Sequence, residues 1–154
     1  MKFSNFLFFW KKPKVIVIAD NNQDLIKKAI GLVTGHSLRF QREVVITNSH
    51  KMIDLQTGVY LILNHDEDIQ KLKENNPAKA LTFGFQEGAD FRASDLKING
   101  GINFKINYKK NVVPVWLIGG RDKNQVYAAL AAACVGTIFN LNLVKISQSL
   151  RDLT

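Results

Sequence analysis

Residues 15–33, VIVIADNNQDLIKKAIGLV, decide the fold class. The first five residues form a continuous and mostly β-branched run, which is typical of a parallel strand buried on both faces. The second part repeats apolar residues at helical spacing, and Gly35 follows it as a typical helix end. A buried strand followed by an amphipathic helix begins a βαβ unit, so the sequence predicts an α/β protein.

The sequence pattern changes at Gly88. Before it, we predict three more buried strands at 43–47, 59–64 and 80–85, and a short polar helix at 66–74. After it, alternating segments joined by turn signals at 99–101 and 109–111 predict an antiparallel meander, and two helices follow at 124–140 and 143–153. We therefore expect a Rossmann-like, mostly parallel sheet with an antiparallel hairpin extension and C-terminal helices.

Composition excludes several classes of function. The 154 residues carry 21 Lys and Arg against 13 Asp and Glu, a net charge of +8. Cys134 is the single cysteine, which excludes a disulfide framework and a cysteine-rich zinc module, and its apolar surroundings predict an inert core residue. The 16 lysines are spread along the chain, so we do not expect nucleic-acid binding.

Residues 1–13 form an aromatic and basic N-terminal segment, and residues 14–154 form a single predicted domain. The segment is too short for a signal peptide or a membrane span. Its rings pack on the domain or on a partner in one interpretation. In the other, residues 1–14 contact an anionic membrane surface. We expect a cytoplasmic protein, peripheral at the inner face of the membrane in the second case.

Several motifs, in their order along the chain, resemble the central domain of the Mur ligases, which add amino acids to peptidoglycan precursors. They are an Asn-x-Asp turn, a Phe-Gly pair, an Ala-Asp-Phe-x-Ala segment and an alanine-rich helix, at 64–66, 83–84, 89–93 and 124–136. The branch that attaches D-alanyl-D-alanine to UDP-MurNAc-tripeptide is the most similar. The resemblance implies a truncated ATP-dependent amide ligase domain, without the uridine-binding and C-terminal domains of the family.

The sequence departs from the family where the resemblance places its ligands. The family's phosphate loop carries Gly, Lys and Ser or Thr, but residues 20–25 read DNNQDL. Their two carboxylates would repel a triphosphate, so we do not expect ATP to bind at this loop. The stretch that would supply the magnesium-binding glutamate is reduced to HSLRFQR, residues 36–42. We therefore predict no catalytic residue, no metal ligand and no cofactor.

The adenine-side helix of the family is partly kept. Asn124 and Gln125 are the candidate cofactor-binding residues, while Ala128 stands where the family has an asparagine. A surface glutamine on a core helix is the alternative interpretation of Gln125. We interpret His50 as structural, and Asp66 as a cap of the helix that follows it.

We predict a non-catalytic Mur-ligase-like protein, a binding or structural module linked to peptidoglycan synthesis. A weak binder of nucleotides or cell-wall precursors and a membrane-surface accessory protein are the alternatives. The altered phosphate loop and the missing magnesium carboxylate argue against enzyme activity. Four parallel strands with few covering helices predict an exposed apolar patch or an open edge, and hence a homodimer or a protein partner. The alternative is that the N-terminal aromatic residues cover the patch within one chain.

Overall fold

The computed structural model describes residues 14–19, 22–47, 59–67 and 79–154. Its strands are β1 (Val15–Ile18), β2 (Val44–Thr47), β3 (Tyr60–Asn64), β4 (Lys79–Gly84), β5 (Phe91–Ile98), β6 (Gly101–Tyr108) and β7 (Asn111–Ile118). Its helices are α1 (Gln23–Val33), α2 (Leu38–Arg42), α3 (Lys123–Ile138) and α4 (Leu143–Ser149), and a 3₁₀ turn follows at Leu150–Asp152.

The strands form one sheet in the order β2-β1-β3-β4-β5-β6-β7. The first five strands of this order run parallel, and β6 and β7 are added antiparallel. The predicted fold class, a mostly parallel sheet with an antiparallel extension and C-terminal helices, is confirmed. The predicted antiparallel meander is formed by β5, β6 and β7. The sequence did not predict how it joins the parallel strands, which is through Phe83 with Phe91 and Gly84 with Arg92 in parallel β4 and β5.

The predicted turns and helices are present wherever the structure describes them. Gly100 (φ 64°) and Lys109 (φ 54°) adopt left-handed backbone in the two hairpin turns, and Gly35 (φ 62°) does so after α1. Glu43, the first residue of the predicted strand 43–47, directly precedes β2. Helix α2 was not predicted. The predicted helix at 66–74 lies mostly outside the described residues, and the N-terminal segment 1–13 lies wholly outside them.

Helix α3 is the centre of the larger core cluster. Its alanines and Cys134 are fully buried, and the cluster joins the inner side chains of β5, β6 and β7 to α1 and α4. Small residues permit this close packing. A Cβ at Gly136 would lie 2.7 Å from Ile146 Cδ1 and 2.8 Å from Val33 Cγ1, so three helices meet at this glycine.

The opposite face of the parallel strands is also buried. A second cluster on this face contains Ile16, Ile18, Val59, Leu61 and Leu63, none more than 7% exposed. Exposed apolar side chains were expected on these strands, but these five are buried, and the residues of the edge strand β2 are half-buried. The large apolar side chains that are exposed lie elsewhere among the described residues, mainly in the antiparallel hairpins.

Candidate functional site

A cleft of about 180 Å³ lies where β1, β3 and β4 end. Because parallel strands present their carboxyl ends at one edge, the segments after them meet there, and ligands of open α/β sheets bind in such crevices. Its lining includes Ala19, Asn22, Asn64, Asp66, Phe83, Asn124 and Tyr127. Two of the predicted motifs, the Asn-x-Asp turn and the Phe-Gly pair, thus meet the alanine-rich helix at one place.

The Asp66 carboxylate ties three elements together. Its Oδ2 accepts hydrogen bonds from the backbone N–H of Phe85 (2.8 Å) and from the Tyr127 hydroxyl (2.8 Å), and its Oδ1 accepts one from the N–H of Gln86 (3.0 Å). The end of β3, the loop after β4 and helix α3 are therefore joined at one side chain. The predicted capping role concerns a helix beyond the described residues.

Gly84 makes room for this carboxylate. A Cβ at position 84 would lie 2.6 Å from Asp66 Oδ1, closer than side-chain carbons approach oxygen atoms. The residues before and after the glycine, Phe83 and Phe85, both pack edge-on against the Tyr127 ring. The Phe-Gly pair and the Asn-x-Asp turn thus form one structural unit around Tyr127.

The Tyr127 hydroxyl is held in its neutral form. Burial raises the pKa of Tyr127 well above its ordinary value, and the hydrogen bond to Asp66 and the negative charges of Asp66 and Glu67 raise it further. This tyrosine therefore donates to the carboxylate across the neutral range and is not available as a base. Its geometry is that of a structural contact.

The start of α1 lies beside the same cleft. Asn22 precedes the helix with left-handed backbone (φ 64°), and the side-chain amide of Gln23 donates to Ala19 O at 3.1 Å. Asp24 is an acidic residue in the first turn. A carboxylate in the first turn stabilises the helix dipole, and its negative charge disfavours a phosphate at this end of the helix.

The structure separates the two candidate cofactor-binding residues. Asn124 lines the cleft. Gln125 is buried, contrary to the interpretation of it as a surface residue, and its Oε1 accepts from the backbone N–H groups of Arg121 and Asp122. The Asp122 side chain in turn accepts from the backbone N–H of Gln125, which completes a capping box, and it also accepts from the N–H of Asn124 at 2.8 Å. The Asp-x-x-Gln spacing at 122–125 was the available sequence signal for this role.

A second motif carboxylate, Asp90, also has a structural role. Its Oδ2 accepts from the backbone N–H (2.8 Å) and the hydroxyl (3.1 Å) of Thr82, and its own N–H donates to that hydroxyl (3.0 Å). These bonds join β4 to the start of β5, where the strand ladder is short. Burial raises the pKa of the nearby Cys134 thiol well above its ordinary value, as expected of an inert core cysteine.

Three further features of the described part of the chain bear on function. No three His, Cys, Asp or Glu side chains there lie close enough together to hold a metal ion. None of the helices in that part is long and apolar enough to cross a lipid bilayer. A larger groove of about 690 Å³ lies beside α1 and β2. His50 lies outside the described residues.

Comparison with known proteins gives one curated relative and a group of solved structures. A UDP-N-acetylmuramate–L-alanine ligase of Hydrogenovibrio crunogenus is 30% identical over 95 residues, which are 60% of this chain and 20% of the ligase. MurF from Acinetobacter baumannii superposes with a TM-score of 0.68 at 13% identity, over 92% of this chain and 46% of MurF. MurF ligase from Thermotoga maritima, solved in complex with ADP, superposes with a TM-score of 0.67 at 12% identity, over 96% and 50%.

These similarities confirm the resemblance to Mur ligases, and the solved structures share the α/β fold of this chain. No protein-family model matches the chain. The chain spans about half the length of the two MurF structures and a fifth of the curated relative.

Proposed function

We propose that this chain is a non-catalytic Mur-ligase-like protein that acts as a binding or structural module in peptidoglycan synthesis. The resemblance to Mur ligases supports the link to the cell wall and a place in the cytoplasm. A homodimer or a protein partner remains part of the proposal. Its contact surface would lie outside β1 and the centre of β3, since their side chains on both faces are buried.

The observation that carries the non-catalytic assignment is the Asp24 carboxylate in the first turn of α1. A nucleotide-binding helix needs its first backbone N–H groups for phosphate oxygens, together with a glycine-rich loop and a lysine. Here the loop before α1 has no glycine or lysine, and the first turn carries negative charge. These residues do not fit a triphosphate with its magnesium ion.

The rest of the cleft supports the same proposal. Its volume, about 180 Å³, is below the roughly 300–1,000 Å³ of typical ligand pockets. One of the two carboxylates that line it, Asp66, is already bound by two backbone N–H groups and one hydroxyl, so its oxygens are engaged within the fold. We infer that the motifs shared with the ligases are kept here because they hold the strands together.

Weak nucleotide binding without chemistry is the second candidate. The position of Asn124 favours it, because this side chain lines the cleft beside Phe83 and Ala128, and an amide recognises the edge of a base by hydrogen bonding. Gln125 is less suited to this role, since its carbonyl oxygen is used in the capping box.

Titration calorimetry with ATP, with and without magnesium, tests both candidates. We expect no magnesium-dependent binding, and none in the Asp24→Lys variant either, because the loop also lacks the glycines that shape a phosphate site. A magnesium-dependent dissociation constant in the micromolar range would contradict the non-catalytic assignment. Weak binding that Asn124→Ala abolishes, and that the control Asn103→Ala on the exposed side of β6 retains, would favour the second candidate.

A further inference from the structure

The antiparallel strands carry an apolar row on the face turned away from the helices, which we call the outer face. Val112, Pro114, Trp116 and Ile118 alternate along β7 with buried residues, so all four side chains lie on this one face. Val112 is 58%, Trp116 49% and Ile118 39% exposed. Single exposed apolar residues are common on protein surfaces, but an aligned row about 20 Å long indicates a contact surface.

Basic side chains lie beside the apolar row. The strand register places Lys105 of β6 next to Pro114 of β7, and it places Arg92 and Lys97 of β5 one strand further on the same face. The guanidinium of Arg151 lies 5.5 Å from the centre of the Trp116 ring. Asp95 is the one carboxylate in these three strands, and it pairs with Lys105 at 3.1 Å. The outer face therefore combines an apolar row with a surplus of positive charge.

We propose that the outer face docks on an anionic lipid surface. Trp116 is suited to the interface between lipid and water, because its ring is apolar and its indole N–H is polar. The flanking Arg and Lys side chains complement the negative headgroups of the inner leaflet. This surface is distinct from the cleft and from the N-terminal segment, so the inference stands independently of the proposed function.

Other occupants fit the outer face less well. Strand addition by a second copy is disfavoured, because Pro114 removes a backbone donor from β7, which is the edge strand of the sheet. Stacking two copies face to face would bring the same basic side chains together. Single-stranded nucleic acid stacks on several aromatic rings, whereas Trp116 is the one aromatic side chain in the row and its neighbours are aliphatic.

Tryptophan fluorescence tests the proposal directly. The sequence has two tryptophans, Trp10 and Trp116, so the full-length Trp10→Phe variant leaves Trp116 as the single reporter. We expect its emission to shift to the blue, and to be quenched by brominated lipids, with vesicles of phosphatidylcholine and phosphatidylglycerol. Vesicles of phosphatidylcholine alone should produce no shift, and added salt should weaken the effect.

Co-sedimentation of vesicles with full-length variants measures the separate contributions of the apolar row and of the basic side chains. Trp116→Gln with Val112→Thr, and separately Lys97→Gln with Arg151→Gln, should each lower the partition coefficient by about ten-fold or more. The matched control, Val144→Thr with Lys27→Gln, removes an equally exposed apolar side chain and a lysine from helices outside this face. It should change partitioning by less than about two-fold.

Three results would overturn the proposal. The first is the absence of binding to anionic vesicles. The second is vesicle binding that leaves Trp116 emission unchanged, which would assign the contact to the N-terminal segment. The third is binding of an oligothymidylate that requires Trp116 while vesicle binding does not. Thermal melts of all variants show that they are folded before partitioning is compared.

Discussion

The parallel half of the sheet and its antiparallel end differ in how far their two faces are buried. In the parallel half, Ile16, Leu61 and Leu63 on one face are as buried as Val15, Val17 and Ile62 on the other. At the antiparallel end, β7 alternates strictly between buried and exposed side chains. Parallel sheets require cover on both faces, while antiparallel sheets tolerate one face in water. Surfaces available to a partner are therefore expected at the antiparallel end.

The two regions also differ in how they use polar side chains. At the carboxyl edge of the parallel strands, Asp66 is bound by three donors of the fold itself. On the outer face, Lys97 and Lys105 are exposed to solvent. Recognition by this chain is therefore expected to depend less on the strand-end cleft, where related ligases share its fold, than on the open face of the hairpins.

The largest predicted effect is the difference in stability loss between one apolar truncation in the parallel half and one at the antiparallel end. Leu61→Ala removes a fully buried side chain of β3 and leaves a cavity, so we expect a loss of about 2–5 kcal/mol in the free energy of unfolding. Val112→Ala removes an exposed side chain of β7 and should change it by less than about 0.5 kcal/mol. Urea denaturation measures both. Similar losses at the two positions would contradict the contrast between a covered and an open face.

Sequence patterns predicted this contrast incompletely. Continuous apolar runs indicated the buried parallel strands, and alternation with Gly and Asn turns indicated the hairpins, because burial and turn geometry act within a few neighbouring residues. For the Leu61 face, the sequence left exposure and cover within the chain as alternatives, and the structure shows the face buried. The parallel pairing of β5 was missed, because only two residue pairs establish it.

An intermediate effect is predicted for Tyr127→Phe. The phenylalanine ring keeps the contacts with Phe83 and Phe85, but it loses the hydrogen bond to Asp66. We expect a loss of about 0.5–1.5 kcal/mol at neutral pH. The double variant with Asp66→Asn should lose less than the sum of the two single variants, because both changes remove the same bond. Additive losses would show that the two side chains act separately.

The stability difference between wild type and Tyr127→Phe should also depend on pH. Burial, the Asp66 hydrogen bond and nearby negative charge raise the folded-state pKa of Tyr127 above the value of about 10 for an unfolded chain. The unfolded state therefore releases this proton first. The stabilisation is fully present below pH ~10 and is lost as the pH rises above it. Urea denaturation at about pH 8 and about pH 11 should show a smaller difference between wild type and Tyr127→Phe at the higher pH.

The Asp66–Tyr127 contact could not be predicted from the sequence, although both residues lie in motifs that could be recognised. They are 61 positions apart, and their contact depends on the register between β3, β4 and α3. The role of Gln125, in contrast, follows from a local capping pattern with Asp122. The cofactor-binding role of Gln125 that the resemblance implies stays a prediction, while the capping bonds of its side chain are local and were predictable.

The smallest predicted effect concerns the ion pair on the outer face. The side chains of Lys105 and Asp95 are 50% and 61% exposed, so water screens their attraction at 3.1 Å. Lys105→Gln should reduce the free energy of unfolding by less than about 0.5 kcal/mol, and added salt should shrink this difference. Asp95→Asn completes a double-mutant cycle without new backbone strain, because asparagine tolerates the left-handed conformation at this position (φ 54°). A coupling energy above about 1 kcal/mol would show that the pair is shielded from water in solution. The outer face would then not be open to solvent, and the contrast with the covered parallel half would fail.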